Sequence, residues 1–198
     1  MKLLLKKINQ KDLEQARNYF TLDYLQNLKN KQKESIIARY YISLFVKDIF
    51  WIENFEPKID KTWKPIFENN IYWSISHKKD LILIWVGKEK IWLDVEIFKE
   101  KDSSLLDFFK DKEYNLLWWK NWENFYILWT GKESLIKYNL WKLDDMQKLV
   151  LEKVVLEKNI IDWLTFDKIL VINWKKVFSG KKNIIYWLLC KSFKDRNI

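Results

Sequence analysis

Two acidic residues in the run Ile91-Trp92-Leu93-Asp94-Val95-Glu96 are spaced for shared chemistry. On a strand, residues two apart project from one face, so Asp94 and Glu96 present their carboxylates together while Leu93 and Val95 face the core. Carboxylates that close repel, and one is pushed towards protonation unless a cation lies between them. Taken alone, the pair also fits a solvated strand face. A third carboxylate, Glu133, lies on a helical run from Phe125 to Lys137, at the edge of an apolar stripe of Phe125, Leu128, Trp129 and Ile136. Lys137 follows one turn on, which by itself is an ordinary surface pair worth about 0.2–0.5 kcal/mol. Set beside Asp94 and Glu96, Glu133 would complete a set of oxygen ligands of the kind magnesium takes along with water and phosphate oxygens. His77, the only histidine, stands next to Ser76 where a strand-like run ends. It reads either as a polar surface residue or as a donor to a phosphate oxygen.

The elements that must position these groups follow from periodicity. Apolar residues at three- and four-residue spacing predict helices over Asp12–Lys29 and Lys33–Phe50, the second with Ile36, Ile37, Tyr40, Tyr41, Leu44, Phe45 and Ile49 on one face. Residues 52–70 hold both prolines, Pro57 and Pro65, and read as a loop-rich connection. Strands are predicted at Ile71–Ser76, Leu81–Val86 and Lys90–Ile97, separated by polar turns. Helices follow at Ser103–Lys110, capped by Ser103 or Ser104, at Asp111–Lys120 and at Glu123–Asn139. Leu149–Leu156 is ambiguous, and Phe166–Asn173 and Asn183–Lys191 read as strands. Helices, strands, helices, then strands again predict an α+β fold, with an N-terminal half over 1–98 and a C-terminal half over 99–198.

Composition bounds the function classes. Hydrophobic residues make up 48% and charged residues 32% of 198, enough apolar matter for a buried core. The apolar run Leu81–Val86 is far shorter than the roughly 18 residues of a membrane helix. Met1–Lys7 is too short an apolar run for a secretory signal, so a cytoplasmic location is expected, without membrane attachment. The single cysteine, Cys190, excludes an internal disulfide and reads as a small buried apolar residue. A net charge of +9 suits a polyanionic ligand or an acidic partner, and equally a lysine-decorated surface. One imbalance stands out: 13 tryptophans against 3 glycines, where average usage gives about 14 glycines.

The ordered set Lys64-Pro65, Ser74-Ile75-Ser76-His77, Leu93-Asp94-Val95-Glu96 and Trp129-Thr130-Gly131-Lys132-Glu133-Ser134-Leu135-Ile136-Lys137 resembles the 4′-phosphopantetheinyl transferases, in their longer single-chain, surfactin-synthetase-activating form. That family's pattern runs Gly-Lys-Pro, Asn-x-Ser-His, Gly-x-Asp-x-Glu, then Trp-x-x-Lys-Glu-Ala/Ser-x-x-Lys, and the match spans about residues 35 to 140. The resemblance implies two similar α+β halves in pseudo-two-fold arrangement, with the site in the cleft between them. It implies Mg2+, with Mn2+ able to stand in, held by Asp94, Glu96 and Glu133 against the pyrophosphate of coenzyme A. Lys137 would neutralise phosphate charge; Lys64, Pro65, Ser76 and His77 would meet the coenzyme's phosphate groups, and Arg39 would grip its nucleotide end. The reaction implied is attack of a carrier-protein serine on the β-phosphate of coenzyme A. Glu133 or a water at the metal takes the proton, and 3′,5′-ADP leaves. The partners implied are coenzyme A and an acidic acyl or peptidyl carrier protein of fatty acid, polyketide or nonribosomal peptide synthesis, with the enzyme a monomer.

The chain departs from the pattern at Ser74, where the family has Asn, and at Trp63 and Trp92, where it has glycine. Together with the composition, this suggests glycine codons of the UGA type translated as tryptophan, first at Trp63 and Trp92, then at Trp141 and Trp174, but not at Trp129, which belongs to the motif. Two other readings stand beside this one: an inactive relative that binds coenzyme A or carrier protein without transfer, and a basic nucleic-acid-binding module. The second explains charge and aromatics but not the ordered acidic motifs.

Overall fold

The computed structural model describes residues 1–28, 32–60, 65–139, 143–161, 164–172, 175–182 and 185–191. The fold is α+β, with two antiparallel sheets, and the chain divides into two units, Met1–Lys90 and Ile91–Ile198.

In the first unit, β1 (Lys2–Lys7), β2 (Tyr72–Lys78) and β3 (Leu81–Gly87) form an antiparallel sheet in the order β1-β3-β2. The chain thus opens on a strand rather than a helix. Its Lys-Leu-Leu-Leu-Lys-Lys run shows no alternation, and it becomes a strand by pairing along Lys2↔Val86 to Lys7↔Leu81. The helix expected over Asp12–Lys29 is two: α1 (Gln10–Tyr19) and α2 (Leu22–Asn27). Phe20 and Thr21 are extended, and Thr21 Oγ1 accepts the Tyr24 N–H at 3.2 Å, so a cap inside the periodic run starts a second helix. A capping box between Asn9 and Asp12 opens α1, and Asp12 also accepts from Tyr41 Oη at 2.7 Å, which ties α1 to α3 (Lys33–Phe50). Ile37, Ala38, Ile42 and Val46 of α3 are buried on Ile82, Ile84 and Val86 of β3.

The second unit holds β4 (Ile91–Ile97), a 3-10 turn at Ser103–Phe108, α4 (Asp111–Leu116), α5 (Trp122–Asn139), a 3-10 turn at Leu143–Lys148, and β5 (Leu151–Ile161), β6 (Leu164–Ile172), β7 (Lys175–Lys182) and β8 (Ile185–Lys191). Its antiparallel sheet runs β4-β8-β7-β6-β5. The division expected after residue 98 falls instead between Lys90 and Ile91, because β4 pairs with β8 over its whole length. Asp94 and Glu96 therefore share a unit with Glu133. Asp102, not Ser103 or Ser104, caps the first turn, its Oδ1 accepting the Ser104 N–H at 2.9 Å. The helix expected over Asp111–Lys120 stops at Leu116, with Trp118 left-handed behind it. The ambiguous Leu149–Leu156 run is strand from Leu151, and β7, rich in lysine, is a strand that periodicity does not signal.

The core of this unit gathers Phe125, Tyr126, Leu128, Leu135 and Ile136 of α5 with Leu151, Leu170, Ile172 and Val177 of the sheet. Trp129 sits half-buried at its margin, stacked on Phe125 with ring centroids 5.8 Å apart. Among the described residues, no helix is long and apolar enough to cross a membrane.

Candidate metal centre

Asp94 and Glu96 lie on one face of β4, and α5 packs against β4 and β8. The face is not solvated: Asp94 is 2% and Glu96 8% exposed. Glu133, half-buried on α5, comes to the same place, and one carboxylate oxygen from each of Asp94, Glu96 and Glu133 lies within 4.8 Å of the others. Lys137, one turn beyond Glu133, sets its Nζ 2.6 Å from Asp94 Oδ1 and 3.1 Å from Glu133 Oε1. Residues 43 positions apart in sequence are thus joined by a charge-assisted hydrogen bond.

The electrostatics are those of crowded anions out of water. Burial pushes the Asp94 carboxyl up to about 6; the Lys137 ammonium opposes the shift, and the charges of Glu133 and Glu96 add to it. Burial alone would pull the Lys137 ammonium down, but Asp94 and Glu133 outweigh it and hold the group charged. The cluster therefore demands positive charge. Opposed ligands of an octahedral Mg2+ stand about 4.2 Å apart and neighbouring ones about 3 Å, from bond lengths near 2.1 Å. The donor set fits such an ion with small side-chain movements: hard carboxylate oxygens, no sulfur or imidazole, and an axis of approach from two elements of one unit.

A pH dependence follows from the raised Asp94. Below a pH of about 6 its carboxyl carries a proton that a cation must displace. Mg2+ affinity, measured by calorimetric titration, is expected to be constant well above that pH and to fall roughly tenfold per pH unit below it. An affinity that is flat through this window would remove Asp94 from the ligand set.

One residue before Glu133, α5 carries half of a buried pair that the sequence reading did not single out. Lys132 and Glu113 are both buried, their side chains 1% and 3% exposed, and the Lys132 Nζ lies 2.9 Å from the Glu113 carboxylate. Glu113 Oε1 also accepts the Leu151 N–H at 2.8 Å, and the ammonium lies 4.6 Å from the Phe109 ring centroid. Burial draws the Lys132 ammonium down, and Glu113 opposes this. The signal was in the spacing: Lys132 is one turn from Leu128 on one side and from Leu135 and Ile136 on the other, inside the apolar stripe. A lysine there must be neutralised by a buried anion. The pair ties α5 to α4, and Glu113 in turn ties α4 to β5.

The remaining candidates belong to the first unit. Arg39, 4% exposed in the middle of α3, donates from Nη1 to Ser35 O at 2.9 Å and to Ser35 Oγ. Its Nε has no hydrogen-bond partner, and it forms no ion pair with a carboxylate among the described residues. Burial pulls its pKa down, with Tyr24 as the nearest compensating group. Ser76 is buried and His77 half-buried on β2, opposite Leu83 and Ile82 of β3. Pro65 forms an isolated bridge with Ile59, and Lys64 lies outside the described residues.

No protein-family model and no curated protein matches the chain.

Proposed function

We propose that this chain is a magnesium-dependent phosphoryl-group transferase. Within that class we assign it as a 4′-phosphopantetheinyl transferase, moving the phosphopantetheine arm of coenzyme A onto a carrier-protein serine. One observation carries the reading. Asp94, Glu96, Glu133 and Lys137, drawn from the two motifs of the resemblance, converge on one buried point. Each unit also sets one long helix, α3 or α5, on an antiparallel sheet, which supports the expectation of two similar halves.

Asp94, Glu96 and Glu133 would hold the ion. Bound there, Mg2+ supplies charge neutralisation for the diphosphate of coenzyme A and for the leaving phosphate. Lys137 contributes a fixed positive charge at the same point, kept protonated by its two carboxylate neighbours. Glu133, the least buried of the three carboxylates, is oriented by Lys137 and can accept the proton of the incoming serine hydroxyl. The serine oxygen bonds to the β-phosphorus, the bond from that phosphorus to the bridging oxygen breaks, and 3′,5′-ADP leaves. Arg39 and His77, with Ser76, Lys64 and Pro65, are assigned to the coenzyme's other phosphate groups. The net charge of +9 suits both coenzyme A and an acidic carrier.

Release of 3′,5′-ADP, followed by ion-exchange chromatography, tests the assignment. It should require coenzyme A, Mg2+ and an apo carrier protein together. Release without a carrier would instead indicate hydrolysis of the diphosphate. Arg39→Lys is expected to raise the KM for coenzyme A about 10- to 100-fold with little change in kcat, the loss of one charge-assisted phosphate contact. An unchanged KM would take Arg39 out of the coenzyme site.

A further inference from the structure

We infer that positions 51 and 118 are glycine in the natural protein, and that Trp51 and Trp118 stand there because UGA codons that its own ribosomes read as glycine have been translated as tryptophan. The observation is conformational and does not depend on the proposed function. Trp51 has φ 61° and Trp118 has φ 73°. Both follow the last turn of a helix: Trp51 caps α3, its N–H bonded to Lys47 O at 3.0 Å, and Trp118 follows Leu117 at the end of α4, its N–H bonded to Asn115 O at 3.2 Å. The left-handed residue behind a helix is where glycine is preferred, because a Cβ there crowds the following carbonyl.

The other left-handed residues have ordinary reasons. Asn54, Asn69 and Asn70 are of the type that tolerates this backbone, and Lys79 sits in the tight turn between β2 and β3. A bulky residue at positive φ needs packing to compensate, and neither tryptophan has it: Trp51 is 88% and Trp118 57% exposed. The packed tryptophans behave differently. Trp85 is 1% exposed and donates from Nε1 to Glu89 O, and Trp129 stacks on Phe125. The glycines complete an inversion, since none of those described adopts positive φ. The two left-handed positions behind helices carry tryptophan, and the written glycines occupy strands and a helix interior. The 13-to-3 imbalance has the same origin.

Of the positions suggested by sequence, Trp63, Trp141 and Trp174 lie outside the described residues, and Trp92 is in the regular strand β4. The structure therefore adds two positions by an independent criterion. Trp119, exposed but not left-handed, is not assigned.

The protein purified from its native cells and cleaved after lysine yields peptides Asp48–Lys58 and Glu113–Lys120. Tandem mass spectrometry is expected to read glycine at 51 and 118; tryptophan at either position overturns the assignment there. UGG codons would do the same. In recombinant protein, Trp51→Gly and Trp118→Gly should each raise Tm by roughly 2–4 °C, the relief of one left-handed side chain. A lowered Tm in both would show that the indoles are held by the fold and contradict the inference.

Discussion

Glu133→Gln is expected to lower the rate of phosphopantetheine transfer by about 100- to 1000-fold, because several kcal/mol of charge stabilisation depend on the ion and on this carboxylate. The substitution keeps the side chain's size and leaves Lys137 its bond to Asp94 at 2.6 Å, so Tm should shift little. Mg2+ affinity should fall with activity, and Asp94→Asn should lose both as well. The distinguishing readout is the pH profile: Glu133→Gln removes one of the charges that raise Asp94, so the loss of metal binding on acidification moves to lower pH. Wild-type activity in Glu133→Gln would mean that the carboxylate cluster is structural.

The second large effect concerns stability. Glu113→Ala leaves the Lys132 ammonium buried without its anion and the Leu151 N–H without its acceptor. Breaking a buried pair from one side costs about 3–5 kcal/mol, a large share of what holds a domain of this size together. Denaturant unfolding of Glu113→Ala should show that loss. Glu113→Gln with Lys132→Met should recover most of it, since the amide oxygen can still accept from Leu151 and no charge remains to be neutralised. If the double variant were as unstable as Glu113→Ala, the pair would matter for its shape rather than its charge.

Much of the carboxylate cluster was legible because it rests on local rules. A period of two set Asp94 beside Glu96, and one helical turn set Lys137 beside Glu133. What no local rule gives is that β4 and α5 meet; that came from motif order and from the resemblance. Lys33–Phe50 was read to its last residue because its apolar face is uninterrupted. Asp12–Lys29 was not, because Thr21 serves a helix interior and a cap alike in sequence, and only its extended backbone decides. β1 and β7 were missed for a different reason. Both are lysine-bordered and become strands through their partners, β1 by pairing with β3 far along the chain and β7 by lying between its sequence neighbours β6 and β8. The buried Glu113–Lys132 pair was half-visible: the stripe placed Lys132 inside, but nothing in the sequence named its anion.

The most direct test is the intact mass of an apo carrier protein incubated with this protein, coenzyme A and Mg2+. The carrier is expected to gain one phosphopantetheine on its serine, and the gain should vanish with EDTA and in Glu133→Gln. A carrier left unmodified, across several carriers and with glycine at positions 51 and 118, would contradict the assignment as a transferase.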